Sequence, residues 1–141
     1  MENKAASPSL RLKPSDAEKI TINLGYVDLG QIDLLVAEGF YSNRTDLIRT
    51  AIRNQLAVHG EVVKQAVARK MLVLGLQQFT AADLEAVRRA GDTLEIRVLG
   101  LASIAADVSP ELALSTIGSI TVLGALHASP AVKAALADRI R

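Results

Sequence analysis

Lys19, Thr21 and Asn23 alternate with Ile20, Ile22 and Leu24. In a strand, a period of two puts the three apolar side chains on one face and an ammonium, a hydroxyl and an amide on the other. Those three polar groups are of the kinds that reach base edges: a cation donates to guanine, an amide pairs with adenine, and a hydroxyl serves either. An ordinary solvated strand face carries the same residue types, so alternation alone does not separate the two readings. The segments beyond Leu24 do separate them. They read as helices, which leaves the strand without a partner nearby in sequence. The partner must come from another chain, and two such strands side by side form a ribbon that fits the major groove of DNA.

The elements that would hold this strand are two amphipathic helices. Asp28 to Glu38 places Leu29, Ile32, Leu35 and Val36 on one side. Gly30 weakens that helix slightly, and Gly39 stands where a left-handed residue would end it, with Phe40 and Tyr41 filling the corner. A second helix starts near Asn43. Asn43 as N-cap with Asp46 three residues on makes a capping-box-like pair, and Ser42 is the other cap candidate. Leu47, Ile48, Ala51, Ile52 and Leu56 follow at helical spacing, with Arg49 and Arg53 on a more polar side, until the pattern fades at His59-Gly60. Backbone N–H groups at the start of this helix, with Arg44 beside them, would attract phosphate. Taken alone, Ser42 to Thr45 is equally well explained as a capped helix start.

Taken together, Lys19-Ile20-Thr21-Ile22-Asn23-Leu24 and the run Gly39-Phe40-Tyr41-Ser42-Asn43-Arg44-Thr45-Asp46-Leu47-Ile48-Arg49-Thr50-Ala51-Ile52-Arg53 resemble the ribbon-helix-helix superfamily of Arc, MetJ and CopG type. The likeness covers about residues 18–57. It implies an obligate, intertwined homodimer. It implies that Lys19, Thr21 and Asn23 of both chains contact bases of double-stranded DNA, and that Ser42, Asn43, Arg44 and Thr45 clamp the phosphate backbone. Gly25-Tyr26-Val27 departs from the proline-containing turn the superfamily often has there, which bears on the start of the first helix more than on the strand.

The second half repeats itself and resembles no family known to us. Val73-Leu74-Gly75-Leu76, Val98-Leu99-Gly100-Leu101 and Val122-Leu123-Gly124-Ala125 recur at spacings of 25 and 24 residues. Strand-like runs precede them at Met71-Leu72, Leu94 to Arg97 and Ile120-Thr121. Capped helix starts follow at Thr80 with Asp83, Ser109-Pro110 and Ser129-Pro130. The expected unit is strand, tight glycine turn, short helix, with a short insertion at Ile104 to Asp107 in the middle copy. Stacked, such units give a parallel sheet covered by helices on one side, a short α/β solenoid. Three units are near the minimum for independent stability, and so small a sheet is expected to have its edge covered by another chain or by the 61–70 segment. The overall expectation is an α+β chain in four parts: a flexible arm over 1–17, the ribbon-helix-helix domain over 18–58, a linker or helix over 59–70, and an oligomerising repeat domain over 71–141. Lys4, Arg11 and Lys13 would let the arm touch phosphate.

Composition narrows the function classes. Half the 141 residues are hydrophobic and 3% aromatic, so the core is built from Leu, Ile, Val and Ala. With no cysteine, disulfides, thiolate metal sites and thiol nucleophiles are excluded, which fits a reducing cytoplasm. The start of the chain lacks the apolar run of a signal peptide, and no stretch is long enough to span a bilayer. His59 and His127 lack a second ligand at metal spacing, so neither metal nor cofactor is expected. The Val-Leu-Gly segments lack the ending of a phosphate loop, and no acid, base and nucleophile converge in a pattern that would make an enzyme. The formal net charge is +1, and residues 1–60 carry seven Lys/Arg against seven Asp/Glu, which is low for a nucleic-acid binder unless dimerisation gathers the cations on one face.

The expected function is a bacterial or phage-type transcriptional regulator in the cytoplasm, at the nucleoid, most simply a repressor. Its C-terminal half would assemble dimers into tetramers or larger species, or bind a protein partner. An antitoxin or plasmid-partition protein of the same fold, or a scaffold that does not bind DNA, are the alternatives.

Overall fold

A computed structural model describes residues 17–141, so the arm expected over 1–17 lies almost wholly outside the described residues. The chain separates into two compact units, residues 17–66 and residues 67–141.

In the first unit, residues 17–25 carry no helix and no strand ladder. Helix α1 spans Tyr26–Ala37 and begins two residues earlier than the apolar spacing predicts, on Gly25, which offers no capping side chain. The chain turns at Gly39, whose φ of +86° is the left-handed conformation expected of it. The Phe40 amide donates to the Leu35 carbonyl at 3.0 Å and the Gly39 amide to Val36 at 3.1 Å, closing the helix end. Helix α2, Arg44–Val58, is capped by Asn43, and helix α3 spans Gly60–Lys70, so the segment read as linker or helix is helical. No residue of 17–66 is buried.

The second unit is a three-stranded parallel sheet in the order β1-β2-β3, with β1 at Val73–Phe79, β2 at Leu94–Ile104 and β3 at Ile117–His127. Helices α4 (Ala81–Arg89), α5 (Pro110–Thr116) and α6 (Pro130–Ala135) follow the strands in turn. Thr80 and Asp83 form a reciprocal capping box at α4. Ser109 and Ser129 cap α5 and α6, with proline in the first turn of each. The repeat registers residue on residue: Val73 pairs with Val98 and Val98 with Val122, while Gly75, Gly100 and Gly124 line up across the sheet.

The glycines are not the turns that spacing suggested. Each lies inside a strand, at φ of +125°, +139° and +123°, and the strand continues through it. At two of them the reason is contact between neighbouring backbones: a Cβ on Gly100 would collide with the Gly75 carbonyl, and one on Gly124 with the Gly100 carbonyl, whereas at Gly75 only the positive φ calls for glycine. The chain turns instead after each strand, beside the capping hydroxyls. Met71-Leu72 is also not strand; Met71 has φ of +55° and β1 opens at Val73.

The core lies between the sheet and its helices. Ile96, Val98, Ala102, Ile104, Ile117 and Ile120 of the strands pack with Leu84, Leu112, Ala113, Val132 and Leu136. Thr116 is buried, and its hydroxyl donates to the Leu112 carbonyl at 2.7 Å. The chain end closes part of the β3 edge: Ile140 bridges Ile120, the Arg141 amide donates to the Ile120 carbonyl, and Arg139 reaches the Leu114 and Ile117 carbonyls at the end of α5. Strand β1 pairs with β2 alone among the described residues, and the 61–70 segment forms no ladder with it.

Candidate nucleic-acid interface

Lys19, Thr21 and Asn23 lie exposed in the extended stretch before α1. Their apolar alternates are exposed too. Ile20 is 73% exposed and Ile22 63%, a large apolar surface to leave in water. The exposure continues on the helices, where Leu34, Phe40, Ile52 and Leu56 are open as well. These apolar side chains are exposed in a unit whose described residues include none that is buried.

The start of α2 is built by two short side chains, Asn43 and Asp46. The Asn43 side-chain oxygen accepts from the Asp46 amide at 2.8 Å, which makes Asn43 the cap rather than Ser42. Asp46 does not return to Asn43. Its carboxylate reaches one residue further and accepts from the Ser42 amide at 2.9 Å. The amides of Arg44 and Thr45, the first two of the helix, make no hydrogen bond among the described residues, as helix geometry requires of that turn.

Arg44 is less free than the sequence suggests. Its Nε and Nη2 both donate to the Asp33 carboxylate, each at 2.8 Å, in a two-pronged pair that ties the start of α2 to α1. The side-chain hydrogen bond from Arg44 holds the Asp33 carboxyl below its ordinary pKa, and Asp33 raises that of Arg44. A guanidinium has five N–H donors, so the pair leaves others for an anion. Asp33 was not singled out from sequence; it lies eleven residues from Arg44 in another helix, and no local pattern connects them.

The structure thus brings Ser42, Asn43, Arg44 and Thr45 together at one helix start, with Asp33 added. It leaves Lys19, Thr21 and Asn23 on the segment before α1 in the same unit. Arg49 and Arg53 are exposed one turn apart on α2. His59 lies against Gln55, their side-chain nitrogens 3.2 Å apart, and His127 ends β3 in the other unit. Among the described residues no group of three or more His, Cys, Asp or Glu could hold a metal ion, and no helix is long and apolar enough to cross a membrane.

A family model of ribbon-helix-helix transcriptional regulators matches residues 15–133. The chain belongs to that family. The match runs through the parallel sheet as well as the N-terminal segment and the helices after it, so the repeat half, which resembled nothing in sequence, is part of what the family model covers. No curated protein and no solved structure matches the chain.

Proposed function

We propose that the protein is a sequence-specific DNA-binding repressor that acts as an intertwined homodimer. Residues 17–25 of two chains would pair as a ribbon, putting Lys19, Thr21 and Asn23 in the major groove. The observation that carries this is the unburied first unit. Ile20, Ile22 and Leu24 alternate with the three polar residues and are exposed among the described residues. Dimerisation buries the apolar side of the ribbon and leaves the polar side facing out.

Ser42 to Thr45 would hold the phosphate backbone through the two unbonded amides of the first turn and the spare donors of Arg44. The C-terminal unit, a short strand-helix solenoid, would add a second self-association surface, either within the dimer or between dimers to give a tetramer. Such a regulator works in the bacterial cytoplasm, at the nucleoid. The same geometry serves an antitoxin or a partition protein; the ordered repeat half differs from the disordered tail by which an antitoxin folds on its toxin.

The test is a pair of substitutions read on specific and random DNA. Asn23→Ala should cost about 1–3 kcal/mol on the specific site and relax base choice there. Arg44→Ala should weaken binding to every sequence and reduce the salt slope by about 1. Wild-type binding by both variants rejects this placement of the interface.

A further inference from the structure

We propose that the sheet face turned away from the helices is an interface with the same face of the ribbon partner; this rests on the dimer reading above. Along β2, Ile96, Val98, Ala102 and Ile104 point into the core, so Leu99 and Leu101 point the other way. The register aligns Leu74, Leu99 and Leu123 in one row and Leu76, Leu101 and Ala125 in the next. The outer members are open: Leu74 is 68% exposed and Leu123 53%. None of the six belongs to the main core cluster, although Leu101, in the middle of the face, is already buried within the chain. All-parallel sheets are stable when both faces are covered; helices α4 to α6 pack on the core face, and on this face the end of α3 meets the strands where Arg97 donates to the Lys70 carbonyl at 3.3 Å.

Charge and size indicate the occupant. The only charged side chains on the strands at this face are Glu95 and Arg97, which pair with each other at 3.2 Å, so nothing on the strands repels an identical face. Two strand spacings by seven paired residues give a patch of roughly 10 by 23 Å. That is well short of the roughly 800 Å² per partner that holds a free-standing complex together. A face this small holds a partner only if the partner is already tethered. A second chain bound through the ribbon is tethered, at an effective concentration in the millimolar range. Sheets meeting this way lie about 10 Å apart, with their leucine rows in contact.

The chain has no cysteine, so single thiols can be placed in the full-length protein without background. Leu99→Cys on the middle strand, Ile22→Cys on the ribbon and Leu114→Cys on the helix side are each treated with a short bismaleimide, after melting curves establish that each variant folds. Bridging between chains at 22 and 99, absent at 114 and unchanged on hundredfold dilution, is the expected result. Adding Leu123→Asp, at an exposed position, should cut bridging at 99 at least tenfold and leave bridging at 22 intact. Bridging at 22 without bridging at 99 overturns the inference and leaves the DNA-binding dimer standing. Bridging at 99 that disappears on dilution while that at 22 persists also overturns it, since the contact would then join separate dimers. Bridging at neither position removes the dimer itself, and both readings with it.

Discussion

The pair between Arg44 and Asp33 sets, on the proposed reading, how the second helix would meet phosphate. Both side chains are exposed, so the pair adds little stability in salt, and its role is orientation. It fixes the guanidinium against α1 at the start of α2, where the two unbonded amides lie. Asp33→Asn should therefore raise retention on random DNA at low salt, because it removes an anion from the site and frees Arg44. A fall in retention would mean that the pair positions Arg44 for DNA rather than competing with it. The pair also predicts a pH dependence. Arg44 lowers the Asp33 pKa, so its contribution is complete above the ordinary Asp value of about 3.9 and is lost as pH falls through the lower, folded value. Asp83 behaves likewise, its carboxylate held down first by the Thr80 backbone amide. Melting curves between pH 6 and pH 2.5 should show an acid limb for wild type that is shallower in Asp33→Asn.

Among the elements, the three stacked glycines make the sharpest prediction. All have positive φ, a conformation that costs a side chain about 1–3 kcal/mol. Gly100 and Gly124 also face a neighbouring carbonyl where a Cβ would sit, whereas at Gly75 nothing lies within 4 Å. In urea unfolding followed on the sheet unit, Gly75→Ala should lose about that strain alone, and Gly100→Ala clearly more. Equal losses would mean that the neighbouring backbones stand far enough apart to admit a methyl group. These residues also mark where sequence sufficed and where it did not. The repeat spacing of 25 and 24 residues gave the parallel stacking of equivalent positions, because stacked copies must align, and the hydroxyl and proline residues gave the capped helix starts. It misplaced the turns, because a glycine required by contact with an adjacent strand looks the same in one chain as a glycine required by a turn. Asn43 was readable as a cap from residue type, since a cap bonds within its own turn. Asp33 was not, since its partner comes from another helix.

In the molecule taken whole, the two units differ in what they can do alone. The sheet unit has its own core, with Leu84, Ile117 and Ile120 fully buried. The first unit buries nothing. Folding of the first unit is, on the proposed reading, coupled to dimerisation, so its stability should rise with protein concentration while that of the sheet unit depends on it less. The near-neutral charge of the chain fits a protein that relies on a few placed donors rather than on a broad basic surface.

The most direct measurement is selection from a random pool of double-stranded DNA by the full-length protein, with the retained DNA sequenced and the mass of the complex taken by light scattering. Two or more chains on one enriched, roughly palindromic site, lost from Asn23→Ala, is the predicted result. Retention without enrichment, or no retention by a protein that still self-associates, would contradict it and leave the ribbon as a device for assembly alone.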